Sequence, residues 1–299
     1  MNDEQRTTND ERQRRASTIH ERVVRARQRL RTAGVSVDEA DLDARLLAEH
    51  VLGWTTEYFF GHADEAAPPG FDAPFDALIH RRASREPFAY IVGHQEFWGL
   101  DIEVSPAVLI PRPETELIVE AACGLFPDPS GALAIADVGT GSGCIAVALA
   151  RERRRAVILA TDESEAALAV ARRNAERLGV AGRITFRHAD LLEDVNDRFD
   201  LVVSNPPYVR DIDRAGIQPE VRFEPSGALY AGADGLDVMR RLVPQAAERL
   251  KPGGTLIFEC GFWQADAVSQ LISSAPGLRM VGLRNDLQGI PRIAIAQRA

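Results

Sequence analysis

The stretch Ala132–Ala150, ALAIADVGTGSGCIAVALA, decides the fold. Its first part, Ala132–Val138, is an apolar run of strand length, and its last part, Ile145–Ala150, continues as a helical pattern. Between them stands Gly139-Thr140-Gly141-Ser142-Gly143, a G-x-G-x-G turn. Strand, glycine turn and helix in that order open a nucleotide-type site in an α/β sheet, because glycine takes positive φ and lets the backbone approach a ligand. A dinucleotide fingerprint would need glycine where Cys144 stands, and a phosphate loop would need a following Gly-Lys-Ser/Thr. Both are missing, so the turn makes no case for a pyrophosphate or triphosphate. Taken alone it is also readable as a tight loop.

Three further strand ends extend the pattern. Asp162 ends the run Ala156–Thr161, where a carboxylate can accept both hydroxyl protons of a ribose. Asp190 follows Arg183–His188 and can accept from an exocyclic amine, while Leu191 beside it can lie against a flat base. Each acid alone is more often a cap or a turn residue. At successive strand ends after Asp137 they form a layout, and the ligand it implies has an adenine and a ribose but no phosphate, which fits S-adenosylmethionine. The fourth run, Phe199–Ser204, ends in Asn205-Pro206-Pro207-Tyr208. Two prolines cannot continue a ladder, so the chain makes a stiff turn at the strand's carboxyl end, where such sheets place ligands. An amide side chain, free backbone carbonyls and an aromatic ring suit the gripping of a planar –NH2 group by its two protons. A plain proline-rich loop is the alternative for that tetrapeptide by itself.

Composition sets the frame. The chain has 299 residues, enough for a full α/β domain and a smaller one. No apolar run approaches ~20 residues, so no membrane span is expected, and Met1–Arg6 lacks an apolar signal core. Cys123, Cys144 and Cys260 are isolated, which argues for a reducing, cytoplasmic setting and against a zinc or disulfide scaffold. The net charge of −9 argues against tight non-specific binding to nucleic acid.

Residues 1–16 are polar and charge-mixed, and a disordered tail is expected there. Residues 17–92 read as a helical substrate-recognition domain. Val23, Ala26, Leu30 and Ala33 recur at helical spacing before Gly34. Ser36 or Asp38 can cap a second helix, whose expected apolar face is Leu42, Leu46, Leu47, Val51 and Leu52. A third helix is expected over about Ala73–Ala83. Residues 93–112 read as a linking β-hairpin around Gly99. Residues 113–299 alternate strand and helix, which implies a parallel sheet, with Pro113 at the first position of a helix and Lys251-Pro252-Gly253-Gly254 as a turn before strand Thr255–Glu259.

These residues resemble a known family. The glycine turn, the acidic strand ends and Asn205–Tyr208 resemble class I S-adenosylmethionine-dependent methyltransferases that modify amide or amine nitrogens. More specific are Glu86–Gly93 (EPFAYIVG), Phe97-Trp98-Gly99, Leu109–Glu116 (LIPRPETE) and Val221–Pro225 (VRFEP). With the helical region, they look like the HemK/PrmC-type protein-(glutamine-N5) methyltransferases. The resemblance runs from about residue 17 to residue 299; the polar extension before it departs from the family pattern.

The resemblance implies a Rossmann-like, seven-stranded, mostly parallel sheet, with a small N-terminal helical domain and a linking hairpin. It implies S-adenosylmethionine as cofactor, S-adenosylhomocysteine as product, and no metal. The partner would be the Gly-Gly-Gln-containing domain of peptide chain release factors. Gly139, Thr140, Gly141, Ser142 and Gly143 would line the methionine part of the cofactor. Asp162 would hold the ribose, Asp190 and Leu191 would frame the adenine, and Asn205 would also border the cofactor. Asn205, Pro206, Pro207 and Tyr208 would take the substrate glutamine, with Asn205, Pro206 and Tyr208 as the catalytic set. Phe97, Ile110, Pro111, Arg112 and Glu114 would border the pocket or pack between domains. Trp54, Trp98 and Trp263 read as core or interface residues. Two other functions stay open on the residues alone. An adenine amino group presents the same two protons to such a turn, although it would want base-flipping machinery. A non-catalytic protein could also have kept the fold.

Overall fold

The computed structural model describes residues 17–299; the expected disorder of residues 1–16 lies outside the described residues. The chain divides into two compact units, one ending at Val92 and one beginning at Gly93. Among the described residues no helix is long and apolar enough to cross a membrane.

The first unit is helical: α1 (Ile19–Thr32), α2 (Val37–Leu52), α3 (Thr56–His62), α4 (Asp72–Ala83) and α5 (Phe88–Val92). Thr18 and Glu21 form a capping box that satisfies the first amides of α1. Ser36, rather than Asp38, caps α2, and Gly53 ends that helix in the left-handed region at φ 64°. The core is Ile19, Val23, Ala26 and Leu30 of α1 against Phe71, Phe75 and Ile79 of the α4 segment. The buried stripe of α2 keeps Leu47 of the expected face, with Val51 and Leu52 packed against the same core, but not Leu42. It runs through Ala40, Ala44, Leu47 and Ala48, whereas Leu42 is 48% exposed. The expected and observed faces thus share Leu47, Val51 and Leu52 and part at Leu42, where alanines take the buried positions. Asp43 on the buried side is neutralised by Arg82 at 2.6 Å, a pair that the close packing obliges because an unpaired buried charge is costly.

The second unit begins with the hairpin β1 (His94–Phe97) and β2 (Leu100–Glu103), turned by Trp98 and Gly99, both at positive φ. Next come a short 3-10 turn, Pro113–Thr115, and α6 (Glu116–Leu125). The main sheet then forms from β3 (Ala134–Val138), β4 (Val157–Asp162), β5 (Ile184–His188), β6 (Phe199–Ser204), β7 (Leu250–Glu259), β8 (Leu278–Asn285) and β9 (Pro291–Arg298). Helices α7 (Cys144–Glu152), α8 (Glu165–Arg177), α9 (Asp237–Arg249) and α10 (Ala265–Ser274) alternate with them. The strand order is β5-β4-β3-β6-β7-β9-β8, with only β9 antiparallel to its neighbours. This is the class I methyltransferase fold. The order reverses between β3 and β6, so the crevice for a ligand lies at the carboxyl ends there. One expected turn is absorbed: Lys251–Gly254 lies inside β7, whose pairing with β6 jumps from Phe199–Leu250 to Leu201–Thr255. Proline has no N–H for the ladder and Gly253 sits at φ 77°, so the four residues bulge from the strand.

Asn174 of α8, fully buried, bolts the hairpin to the glycine turn. Its Oδ1 accepts from the Glu103 N–H at 2.7 Å, and its Nδ2 donates to the carbonyls of Glu103 and Ser142, each at 2.9 Å.

Candidate active site

The glycine turn leaves β3 with Gly139, Gly141 and Gly143 at φ 70°, 55° and 80°. Their roles differ. A Cβ on Gly143 would stand 3.0 Å from the Cβ of Ala171, so this glycine lets α7 pack on α8. A Cβ on Gly139 or Gly141 would meet nothing within 4 Å. Both border a cavity of about 310 Å³. The turn is pinned from below by Asp137, which is fully buried and accepts from the Thr140 hydroxyl at 2.6 Å and the Ala146 N–H at 3.1 Å.

Burial pushes the Asp137 carboxyl up to about 7, against the opposing effect of those two hydrogen bonds. Because the folded state holds the proton more tightly than the unfolded chain, this group's contribution to stability is complete at low pH and is lost as pH rises towards 7. Asp137→Asn keeps an acceptor and removes the ionisation. Its melting temperature should therefore fall less between pH 5 and pH 8, an interval spanning the raised value near 7, than that of the parent chain. Parallel pH profiles of the two proteins in calorimetry would refute the assignment.

Asp162, at the end of β4, faces the same cavity. The Gly141 and Ser164 amides, each at 2.9 Å, fix its carboxylate. Burial still holds its pKa above the usual range. Asp190 and Leu191 border the same cavity; Asp190 pairs with Arg241, and Leu191 stands at φ 53°. A leucine in the left-handed region costs energy, and such strain collects where a side chain is aimed at a ligand. Pairing with a guanidinium leaves Asp190 lone pairs that can still accept.

The β6 turn completes the wall. Asn205 and Pro207 border the cavity, together with Pro111 and Thr115. Pro206 is buried, and Tyr208 is half-buried behind the turn. The turn's polar groups belong to a network that sequence reasoning missed. The Asn205 Nδ2 donates to Thr115 Oγ1 at 3.0 Å. Thr115 donates to Glu259 Oε2 at 2.7 Å, and the Tyr208 hydroxyl donates to Glu259 Oε1 at 3.0 Å. Glu259 is the last residue of β7 and is 1% exposed. Burial raises its pKa, and the two hydroxyl donors pull it back. Burial and the Glu259 charge together keep the Tyr208 phenol protonated. The signal for Glu259 was present: it is a fifth polar strand end at the same edge of the sheet.

The expected border from the linker side is redrawn. Of Phe97, Ile110, Pro111, Arg112 and Glu114, only Pro111 is among the cavity-lining residues, joined by Ala107, Val108 and Leu109. Phe97 is 1% exposed and belongs to the core beneath the hairpin. Arg112 instead pairs with Glu224, a buried carboxylate that also accepts from the Ile110 N–H at 3.0 Å. The LIPRPETE and VRFEP segments thus hold each other. Trp263, expected in the core or at an interface, is not in the core: it is 42% exposed, its ring centroid 6.4 Å from that of Tyr208, with the Arg210 guanidinium over its face. His94 faces Asp101, and His188 bonds the Glu163 carbonyl; neither enters the cavity wall.

Comparisons with known proteins show the family of the chain. Residues 21–93 match the family described as PrmC N-terminal domain, and residues 125–219 match the methyltransferase small domain. The release factor glutamine methyltransferase of Koribacter versatilis is 42% identical over 260 residues, which is 86% of this chain and 91% of that protein. The one from Bordetella pertussis is 45% identical over 255 residues, 85% of this chain and 93% of that protein. Among solved structures, the T. thermophilus 16S rRNA N2 G1207 methyltransferase, bound to AdoMet and guanosine, has a TM-score of 0.50 at 20% identity. It covers 69% of this chain and 50% of its own, a likeness of fold.

Proposed function

The chain belongs to the family of release factor glutamine methyltransferases, S-adenosylmethionine-dependent enzymes that methylate glutamine in release factors, and we propose that its acceptor is the N5 amide nitrogen of the Gly-Gly-Gln glutamine. The observation that carries this reading is the meeting of two walls in one cavity. The glycine turn and Asp162 form one, and Asn205 and Pro207 form the other. The first wall fits a nucleoside with a thioether-type tail: bare backbone at Gly139 and Gly141, and a carboxylate with lone pairs left for ribose hydroxyls.

The sulfonium of bound S-adenosylmethionine supplies an electrophilic methyl group. The protein's own task is the nucleophile, since an amide lone pair is delocalised into its carbonyl. Asn205 Oδ1 and the Pro206 carbonyl accept the two N–H protons, which fixes the nitrogen in line and enriches it as positive charge develops. The Tyr208 ring braces that turn from behind, its hydroxyl held by Glu259 at 3.0 Å. The proton lost from nitrogen passes to water. The product, S-adenosylhomocysteine, leaves the same cavity. A reducing, cytoplasmic setting suits the three free cysteines.

Incubation with labelled S-adenosylmethionine and purified release factor, followed by mass mapping, tests the assignment. Label on the Gly-Gly-Gln glutamine is the expected result; label only on added DNA or RNA adenine would overturn it. Asp162→Ala should weaken S-adenosylmethionine binding by about 1.5–3 kcal/mol, the usual worth of a hydrogen bond to a charged group. An unchanged dissociation constant in calorimetry would mean that the ribose is held elsewhere.

The helical unit is the proposed recognition element for the protein substrate, because one glutamine side chain offers few atoms from which to build specificity. A truncated chain beginning at Gly93 should keep its affinity for S-adenosylmethionine and lose kcat/KM on the intact factor. Undiminished kcat/KM would rule the unit out as the recognition element.

A further inference from the structure

We propose that Glu259 and Thr115 are positioning residues that set which end of the Asn205 amide faces the substrate. The inference rests on the role given above to the Asn205–Tyr208 turn and concerns what makes that turn competent.

A hydroxyl carries one proton and two lone pairs, and an ionised carboxylate only accepts. Thr115 is 2% exposed and gives its one proton to Glu259 at 2.7 Å. Towards Asn205 it can therefore offer only a lone pair, and only the Nδ2 end of the amide can answer, which it does at 3.0 Å. The two ends of an asparagine amide are nearly equal in size, so packing alone chooses poorly between them. The hydroxyl's polarity makes the choice. With nitrogen turned to Thr115, Oδ1 is the end left to accept a substrate N–H. The reversed amide would set its own N–H against the substrate's, donor against donor.

The same carboxylate also holds the other end of the turn through the Tyr208 hydroxyl at 3.0 Å. One buried group at the end of β7 thus orients the amide acceptor and anchors the aromatic ring. Neither Glu259 nor Tyr208 borders the cavity, so Glu259 acts through its neighbours without touching the acceptor.

Two variants invert or delete the relay with little change of shape. In Glu259→Gln the carboxamide can donate to Thr115, which then donates to Asn205 and turns its oxygen inward. Thr115→Val removes the hydroxyl, and Thr115→Ser keeps it. The readouts are kcat and KM on purified release factor, the calorimetric affinity for S-adenosylmethionine, and the melting temperature, with Asn205→Ala measured alongside. The expected result is a kcat about 10–100-fold lower in Glu259→Gln and Thr115→Val, by analogy with loss of a residue that orients a metal ligand. Cofactor affinity should stay within threefold of the parent, and Thr115→Ser should recover most of the kcat lost in Thr115→Val. If Glu259→Gln does not fold, the Thr115 pair carries the test alone. Full kcat in both disabling variants, with Asn205→Ala inactive, overturns the relay and leaves the turn's role standing. Full activity in Asn205→Ala overturns the turn's role and the relay with it. Parallel losses of melting temperature and cofactor affinity, not rescued by Thr115→Ser, show a merely structural network and overturn the proposal.

Discussion

Asn205→Ala is expected to remove methyl transfer while leaving affinity for S-adenosylmethionine within a few fold. The side chain borders the cavity, and its amide is held by Thr115 and not by any residue of the glycine turn. Its proposed work is done on the acceptor, and only as charge develops on the amide nitrogen. Loss of one such oriented partner costs on the order of 3 kcal/mol in the transition state, more than a hundredfold in rate, by analogy with an oxyanion-hole donor. The loss should fall on kcat, since an interaction made mainly in the transition state does not govern ground-state binding. Calorimetry and steady-state kinetics on the same preparation decide the matter. If cofactor affinity falls in step with kcat, Asn205 is a cofactor ligand and the acceptor is aligned by something else.

What was legible in the sequence was local. The runs Ala132–Val138 and Phe199–Ser204 became β3 and β6 because strands buried on both faces read as unbroken apolar stretches. The glycine turn followed because three positive-φ residues in five leave few alternatives. The network behind the site was not legible, since its bonds join residues far apart in the chain: Asn205 to Thr115 across 90 positions, and Thr115 to Glu259 across 144. No local pattern marks a threonine as the acceptor of a distant amide. Only the fold, by placing β6 beside β7, brings the two strand ends together. The face of α2 was legible at Leu47, Val51 and Leu52 but not at Leu42, which is exposed while Ala40, Ala44 and Ala48 complete the buried stripe. Short elements such as α3 and α5 carry too few turns for a period to show.

Gly235→Ala should cost both stability and turnover, and it separates two uses of glycine at this site. Gly235 has φ 76° and Gly139 has φ 70°, so alanine at either pays a similar left-handed penalty, about 1–2 kcal/mol. Space distinguishes them. A Cβ on Gly235 would stand 2.2 Å from the Tyr208 carbonyl oxygen and 2.7 Å from Gln264 Nε2, whereas one on Gly139 would meet nothing within 4 Å. Gln264 cannot simply withdraw, because its Nε2 also donates to the carbonyls of Gly235 and Asp234, at 3.0 Å and 3.2 Å. The backbone of Tyr208 must then move, adding an overpacking cost of about 1–3 kcal/mol to the conformational one. Denaturant unfolding should place Gly235→Ala below Gly139→Ala in stability by about that difference. The kinetic signatures should also differ. Displacing Tyr208 disturbs the acceptor turn, so kcat falls. A methyl on Gly139 enters the cavity on the side proposed for the cofactor, so the dissociation constant for S-adenosylmethionine should rise. If both variants lost the same stability, backbone conformation alone would explain Gly235; if its kcat were unchanged, the close approach of Gly235 to Tyr208 would have no bearing on the turn's work.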